Sequence, residues 1–262
     1  MTSTLRRAAA SLALALGIGA AGAVALPAPT ARAQTTYESL GLTVGVTPTL
    51  TTDYLFRGIS QTRNRPAAQV TLDVQHETGL YVGAFLSNVA FLGTDARQEV
   101  DVLAGYRFEV AGVRLDLGGV GYLYPGYDKP PGGFDLQWFE FAARATYEIA
   151  PVKLLGSAFY SPNFNVESGS ALYVEGGVEL TLPSIGLPTD FTLAGRLGYQ
   201  WVDRNSRFGA PDYLNYNVTL STSVAGFVFT VGWFGTDLSR SECFGGQKIC
   251  EDRALFQVSR TF

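Results

Sequence analysis

Apolar and polar residues alternate along most of this chain with a period of two, in short segments that end at turn residues. This period is that of β-strands with one apolar face. Twelve such segments are each close to the roughly 9 to 11 residues that a strand needs to cross a bilayer at a tilt. An even number of strands brings both chain ends to one side of a closed barrel. The predicted strands cover residues 42–54, 67–76, 80–90, 98–110, 113–124, 135–148, 152–161, 171–182, 190–202, 213–224, 227–237 and 253–262.

Charges near the middle of these segments fall on the face opposite the apolar row. In residues 98–110, Val100 and Val102 form one row while Glu99 and Asp101 lie on the other. A charge facing lipid at the bilayer midplane would cost about 2–4 kcal/mol, whereas a water-soluble barrel would carry its charges outside. The sequence therefore predicts an all-β fold, a transmembrane antiparallel up-and-down β-barrel of about twelve strands in a single domain.

The connections between the segments alternate in length, which supports a membrane barrel, where short turns lie at one end and long loops at the other. The short connections are residues 77–79, 111–112, 150–151 and 225–226, with a somewhat longer one at 183–188. The long ones include residues 125–133, 161–170, 204–212 and 238–252.

Two segments leave a question open. Residues 80–90 are apolar on both faces, so their register is undecided, and Arg260 falls on the outward row of the last strand, near the interface, where it can snorkel to water. That strand ends on Phe262, and we expect this terminal aromatic residue to be recognised by the barrel-assembly machinery. A short amphipathic strand at the end of a soluble β-protein would look similar.

The first 33 residues have the pattern of a secretory signal peptide: Arg6 and Arg7, an apolar stretch, and a small-residue cleavage signal that ends at Ala33. We expect a mature chain of residues 34–262 in the outer membrane of a Gram-negative cell. An uncleaved membrane anchor is the alternative, since the stretch is about as long as the minimum spanning helix. Cleavage would remove three arginines and change the formal net charge from −4 to −7, which gives no basic surface for nucleic acid.

Twelve strands enclose an interior wider than that of eight-stranded barrels and narrower than that of large porins. Its side chains therefore decide what the interior does. They could line a wet pore that leans weakly toward cations, or form ion-pair networks that fill the barrel. The predicted pore-lining residues are Asp73, Glu99, Asp101, Arg107, Arg114, Asp116, Glu140, Arg144, Lys153, Glu175, Glu179 and Arg196.

Catalysis, metals and cofactors have little support in the sequence. The single histidine, His76, lies beside a short turn and has no recognisable serine motif or carboxylate near it in the sequence, although a surface lipid hydrolase stays an alternative. Calcium binding by loop acids such as Asp128 and Asp135 has no motif behind it. Cys243 and Cys250 enter an oxidising compartment and lack partner histidines, so we expect a disulfide and no zinc site. We predict no cofactor.

The residues from Leu50 to Thr62, LTTDYLFRGISQT, followed by Pro66 and Ala67, resemble the opening signature of the TorF family of porins, a proteobacterial outer-membrane group. The blocks HETGLYVG, SNV, EVD, YLYPG, YSP and SRTF continue the likeness over nearly the whole mature chain. The resemblance implies an outer-membrane barrel that acts as a passive channel and uses no cofactor.

Three residues of that signature, Asp53, Arg57 and Gln61, fall in the first long loop. They are candidates for an inward-folded constriction; the alternative is a tight loop held by an Asp53–Arg57 pair. The predicted function is diffusion of small hydrophilic solutes or ions, with outer-membrane lipid and those solutes as partners. The alternatives are a surface enzyme and a closed barrel with a structural or adhesive role. The oligomeric state stays undetermined.

Overall fold

Twelve antiparallel strands close into a barrel in the computed structural model, which describes residues 34–183 and 189–262. The predicted signal peptide and turn residues 184–188 lie outside that part. The barrel strands are β2 (Leu42–Thr51), β5 (Ala67–His76), β6 (Leu80–Asn88), β7 (Gln98–Val110), β8 (Val113–Leu123), β9 (Trp138–Ile149), β10 (Val152–Ser161), β11 (Ala171–Leu182), β12 (Phe191–Val202), β13 (Tyr213–Val224), β14 (Phe227–Thr236) and β15 (Arg253–Ser259).

The remaining elements are short. They are the strands β1 (Thr35–Tyr37), β3 (Leu55–Phe56) and β4 (Ile59–Ser60), the 3-10 helices Glu38–Leu40 and Asn165–Glu167, and the helix α1 (Asn205–Phe208). Across the two described ranges, every helix is too short and too polar to traverse a bilayer.

Strand β2 closes the barrel because it pairs with β5 on one side and with β15 on the other. The pairing with β15 is in register at Leu50 and Val258, and it continues past the end of β15 to two backbone hydrogen bonds between Val46 and Phe262. Strand β1 then pairs with the first residues of β2, in line with β15. The predicted twelve-stranded antiparallel barrel is thereby confirmed.

Short and long connections alternate as the sequence predicts. The short turns and Phe262 lie at one end of the barrel, the turn end, and the long connections lie at the other, the loop end. Strand bounds agree closely with the prediction except in three strands. The last predicted strand, 253–262, ends at Ser259 at the turn end, and the other two differences lie mainly at the loop end. The first predicted strand, 42–54, ends at Thr51, and the sixth, 135–148, begins only at Trp138 and runs to Ile149.

Apolar side chains cover the outside. In β7, Val102 and Tyr106 are exposed, while Glu99, Asp101 and Arg107 are buried on the inward face. The undecided register of β6 is fixed by its neighbours: Leu86 pairs with Val100, so the even-numbered residues of β6 face outward. An outer surface of this kind suits acyl chains.

Candidate functional site

The interior of the barrel has two zones, and the first is a loop that folds inward from the loop end. We call residues 52–66, between β2 and β5, the plug. Strands β3 and β4 form a small hairpin within it, and residues Tyr54 to Phe56 are buried inside the barrel. Backbone hydrogen bonds tie the plug to the wall, from Thr52 N to Phe256 O on β15, and to the last long loop, from Ser60 N to Ile249 O. The loop end of the barrel is therefore filled by the chain's own first loop.

The hairpin tip is an Arg57-Gly58 turn. Both residues have positive φ, 48° and 81°, which is the geometry of the type I′ turns that suit tight hairpins. A Cβ on Gly58 would lie 2.6 Å from Cγ2 of Thr236, so only glycine fits where the tip touches the wall. This turn places the Arg57 side chain deepest in the barrel.

Arg57 is held by one carboxylate and a cage of rings. Its Nη2 donates to both Glu140 oxygens at 2.9 and 2.7 Å, and its Nη1 donates to Gln200 Oε1. The guanidinium carbon lies 4.3 Å from the ring centre of Tyr173 and 4.7 Å from that of Phe56. Paired, stacked and fully buried, the guanidinium fixes the plug to the strands β9, β11 and β12.

Asp53 does not pair with Arg57, so the alternative of a loop held by that pair is wrong. Its Oδ1 accepts from Ser60 Oγ at 2.6 Å and Thr62 Oγ1 at 2.7 Å, and its Oδ2 accepts from Arg253 Nη1 at 2.7 Å. Asp53 thus shapes the base of the plug and joins it to β15. Arg57 takes a different partner because the turn carries it across the barrel, 83 residues away in sequence from Glu140.

Gln61 lies on the other side of the plug base. Its side-chain amide nitrogen donates to Ile59 O at 2.9 Å, and its backbone carbonyl accepts from Ala90 N at 2.8 Å. It therefore joins the plug to the next long loop and does not face the barrel axis.

Two further carboxylates lie under the plug on β7. Glu99 accepts from Tyr54 and, at 2.7 Å, from Tyr124. Burial, with the charge of Glu99 beside it, raises the pKa of Tyr54 well above its usual value, so this hydroxyl stays a donor. Asp101 is equally buried, yet neither of its oxygens has a hydrogen-bond partner among the described residues.

Aromatic side chains and the disulfide fill the space around the plug. Trp138 stacks on Tyr122 with ring centres 4.1 Å apart and meets Phe164 edge-on. Cys243 and Cys250 form a disulfide that is buried in the same cluster, in a loop that turns at two glycines with positive φ. The last long loop therefore forms a lid over the plug.

The second zone, at the turn end, is a chamber lined by paired charges, which we call the vestibule charges. The pairs are Arg107 with Asp73 and Asp116, Arg144 with Asp116, Arg114 and Lys153 with Glu148, Lys153 and Arg196 with Glu179, and Arg196 with Glu175, at 2.6–3.6 Å. The side chains of Arg144 and Lys153 are 22% and 23% exposed, whereas those of Arg57 and Glu140 are 0% and 1% exposed. The vestibule charges thus range from buried to partly exposed, whereas the pair at the plug is fully buried.

The structure places all twelve predicted pore-lining side chains on the inward face of the barrel. Nine of them are vestibule charges. Glu99, Asp101 and Glu140 lie against the plug instead and face no open space.

Sequence reasoning missed Tyr54 within the plug and three residues of the wall around it, Tyr122, Tyr173 and Arg253. Tyr54 lies in the signature block and Tyr122 on the inward row of β8, but an aromatic residue on a strand equally predicts an interfacial position.

The other candidate sites stay apart from this interior. His76 lies at the turn end, where its Nδ1 is 2.7 Å from Thr78 Oγ1. Asp135 Oδ1 accepts from Gln137 N at 3.0 Å in a loop. Within residues 34–183 and 189–262, His, Cys, Asp and Glu side chains form no group of three or more that could hold a metal ion.

Comparisons with known proteins support the architecture. A solved structure described as "KdgM porin" superposes with a TM-score of 0.52 at 8% identity, over 83% of this chain and 98% of that one. A structure of the NanC porin gives 0.50 at 10% identity, over 84% of this chain and 98% of that one. At these identities the likeness is one of fold. No curated protein matches the sequence. A family model described as "Bacterial protein of unknown function (Gcw_chp)" matches residues 34–262.

Proposed function

We propose that this chain, which belongs to the Gcw_chp family of bacterial proteins, is a porin-like channel of the Gram-negative outer membrane. It passes small hydrophilic solutes or ions by diffusion when the plug withdraws. The fold shared with the KdgM and NanC porins and the resemblance of the plug sequence to the TorF family support this reading.

The observation that carries the proposal is the contrast between the two interior zones. The turn-end half carries ten paired charged side chains, of which Arg144 and Lys153 are about one-fifth exposed, and a barrel packed solid with apolar side chains would not need them. Only one loop and its lid separate it from the other side. That loop is anchored at its tip by Arg57, a polar contact that can be exchanged for water when the loop moves.

In the proposed orientation the turn end faces the periplasm and the loop end faces outward, as in other bacterial barrels. Residues 1–33 direct export, and Phe262 at the turn end is the residue for the assembly machinery to recognise. Phe139 and Phe141 near the loop end, and Phe227 and Phe262 at the turn end, are exposed and give aromatic girdles at both interfaces with outer-membrane lipid.

Conductance in planar bilayers tests the proposal. The wild-type chain should show rare openings, and Arg57→Ala should show stable, frequent steps because Glu140 loses the cation that holds the plug. Arg63→Ala is the matched control, since Arg63 is an exposed arginine of the same loop. Heat-modifiable migration on gels verifies that each variant is folded. If neither the folded wild-type chain nor folded Arg57→Ala conducts, the channel proposal is wrong. Liposomes that contain either chain should then show no swelling with sugars of any size.

The second candidate is a permanently closed barrel with a structural or adhesive role. The buried Arg57–Glu140 pair and its aromatic cage favour it, because they form a well-packed interior. A plug that stays in place in every variant would support it. We also propose that the protein is not an enzyme; lipid hydrolysis that is lost in His76→Ala would contradict this.

A further inference from the structure

A shallow apolar groove crosses the outside of the barrel. Its volume is about 660 Å³, within the usual range for small-ligand sites. It follows the hydrogen-bonding direction across six strands, from β14 through β15, β2, β5 and β6 to β7. Its apolar lining is Leu50, Ala68, Val70, Leu86, Val100 and Val258.

The groove runs from the turn end toward the loop end. Phe227 and Phe262 line it at the turn end, and Asn88 and Gln98, where β6 ends and β7 begins, line it at the loop end. Five strand spacings of about 4.8 Å give roughly 24 Å along the groove, more than the roughly 15 Å depth of one hydrocarbon leaflet. The part that starts at the turn end is therefore long enough for an acyl chain.

A cation stands at the turn end of the groove. The Arg260 guanidinium carbon lies 5.0 Å from the ring centre of Phe227 and 4.9 Å from that of Phe262. Its backbone N–H donates to Pro48 O, next to the groove floor. Its Nε is buried and has no hydrogen-bond partner among the described residues. Two rings hold a charged donor in place at the turn end, whereas the acidic residue of the groove lining, Glu99, lies near the loop end with its carboxylate bound by Tyr54 and Tyr124.

We propose that this groove binds one phospholipid of the periplasmic leaflet, with its phosphate on Arg260 and an acyl chain along the groove. The inference rests on the outer-membrane placement proposed above. Arg260 lies at headgroup height, beside the turn Ala225-Gly226, and a phosphate supplies the anionic acceptor that its guanidinium lacks. An arginine on the lipid-facing row would be costly at mid-bilayer, and the proposed phosphate explains why Arg260 is found there at headgroup height.

Native mass spectrometry of the delipidated full chain, titrated with dioleoylphosphatidylglycerol, tests this site. The wild-type chain should retain one lipid preferentially. Arg260→Gln should bind it about tenfold more weakly, because a hydrogen bond from a charged donor is lost. Arg260→Lys should keep part of the affinity. Ala68→Phe, which fills the groove without changing charge, should also weaken binding, and Arg63→Gln, far from the groove, should not.

Two probes separate the sources of affinity. Dioleoylglycerol, which lacks the phosphate, should bind the wild-type chain as weakly as the phospholipid binds Arg260→Gln. Inorganic phosphate alone should not compete at similar concentrations. Equal phospholipid affinity of the wild-type chain and Arg260→Gln would overturn the proposal, and so would a dimer that Ala68→Phe dissociates, since a second copy would then cover the groove.

Failure here is distinguishable from failure of the channel. A chain that holds the lipid but never conducts overturns the channel and keeps the site. If the chain conducts but Arg260→Gln binds phospholipid as well as the wild-type chain does, the lipid site is rejected and the channel is kept.

Discussion

The contact between Arg57 and Glu140 should control how often the plug leaves the barrel. Both side chains are buried and joined by two hydrogen bonds at 2.9 and 2.7 Å. Removing one member of a buried ion pair costs about 3–5 kcal/mol, because the other charge is left without compensation. In Arg57→Met the Glu140 carboxylate pays this penalty only while the plug is closed, since water reaches it when the plug withdraws. The plugged state should therefore lose roughly 10²- to 10⁴-fold in population relative to the open one.

Cysteine labelling measures this shift directly. Ile59 is 4% exposed within the plug, and the two native cysteines are joined in a disulfide, so Ile59→Cys supplies a single buried thiol. When opening and closing are fast relative to labelling, the rate of reaction with a maleimide follows the open population. The rate should rise by about two to four orders of magnitude when Arg57→Met is added.

A double substitution gives the control. Replacing Glu140 as well, in Arg57→Met with Glu140→Met, removes the orphaned charge, and buried pairs replaced by apolar residues of similar volume are often no less stable. Labelling should then return toward the wild-type rate. Arg63→Met should leave the rate unchanged, since Arg63 is exposed. If Arg57→Met labels no faster than the parent, or if the double variant labels as fast as Arg57→Met alone, the ion pair does not hold the plug.

Three further predictions concern the surroundings of the plug. Replacing Cys243 and Cys250 by serine should speed labelling at Ile59, because closing a loop of this size contributes about 2–3 kcal/mol to the lid; an unchanged rate would mean that the lid does not restrain the plug. Asp101→Asn should raise the thermal stability of the folded barrel in detergent by about 1–3 kcal/mol, because both carboxylate oxygens are buried without partners; a lower midpoint would refute this. In a conducting Arg57→Ala background, Lys153→Gln should shift the reversal potential under a salt gradient toward cations, and no shift would remove Lys153 from the conduction path.

The barrel wall was predictable from the sequence because it repeats one physical rule. Charges near the middle of a strand lie opposite its apolar row, so a period of two read along β7 or β11 is enough to assign both faces. The one strand that lacks this contrast, β6, could not be assigned, because its register depends on pairing with β5 and β7. Local alternation predicts a face only where the two faces differ in polarity.

The plug was beyond that rule for a related reason. Residues Tyr54 to Phe56 are three consecutive apolar residues followed by Arg57 and Gly58, so a period of two assigns no face there, and the first predicted strand ends at residue 54. Where this hairpin goes is decided by contacts that the local sequence does not contain: Glu140 on β9, Gln200 on β12 and Arg253 on β15. The signature block identifies this loop, and an inward fold is one of the two interpretations that it allows. The partner of Arg57 can be identified only once the strands close into a barrel.

The positive charge of the plug complements the negative charge of the carboxylates beneath it. Glu99, Asp101 and Glu140 bring three buried carboxylates to the region beneath the plug, where the Arg57 guanidinium pairs with Glu140. With the plug in place, aromatic rings exclude water and the pair is little affected by salt. With the plug withdrawn, the same carboxylates would line a wet path without that counter-charge and attract mobile cations in its place. Arg57 then behaves as a tethered counter-ion that dissolved cations can replace. Raising the salt concentration should therefore favour the open state. The open channel should also prefer cations at its narrowest level. The sign of both effects follows from the same imbalance of charge, and an anion-selective open state would refute the idea that these three carboxylates lie on the path.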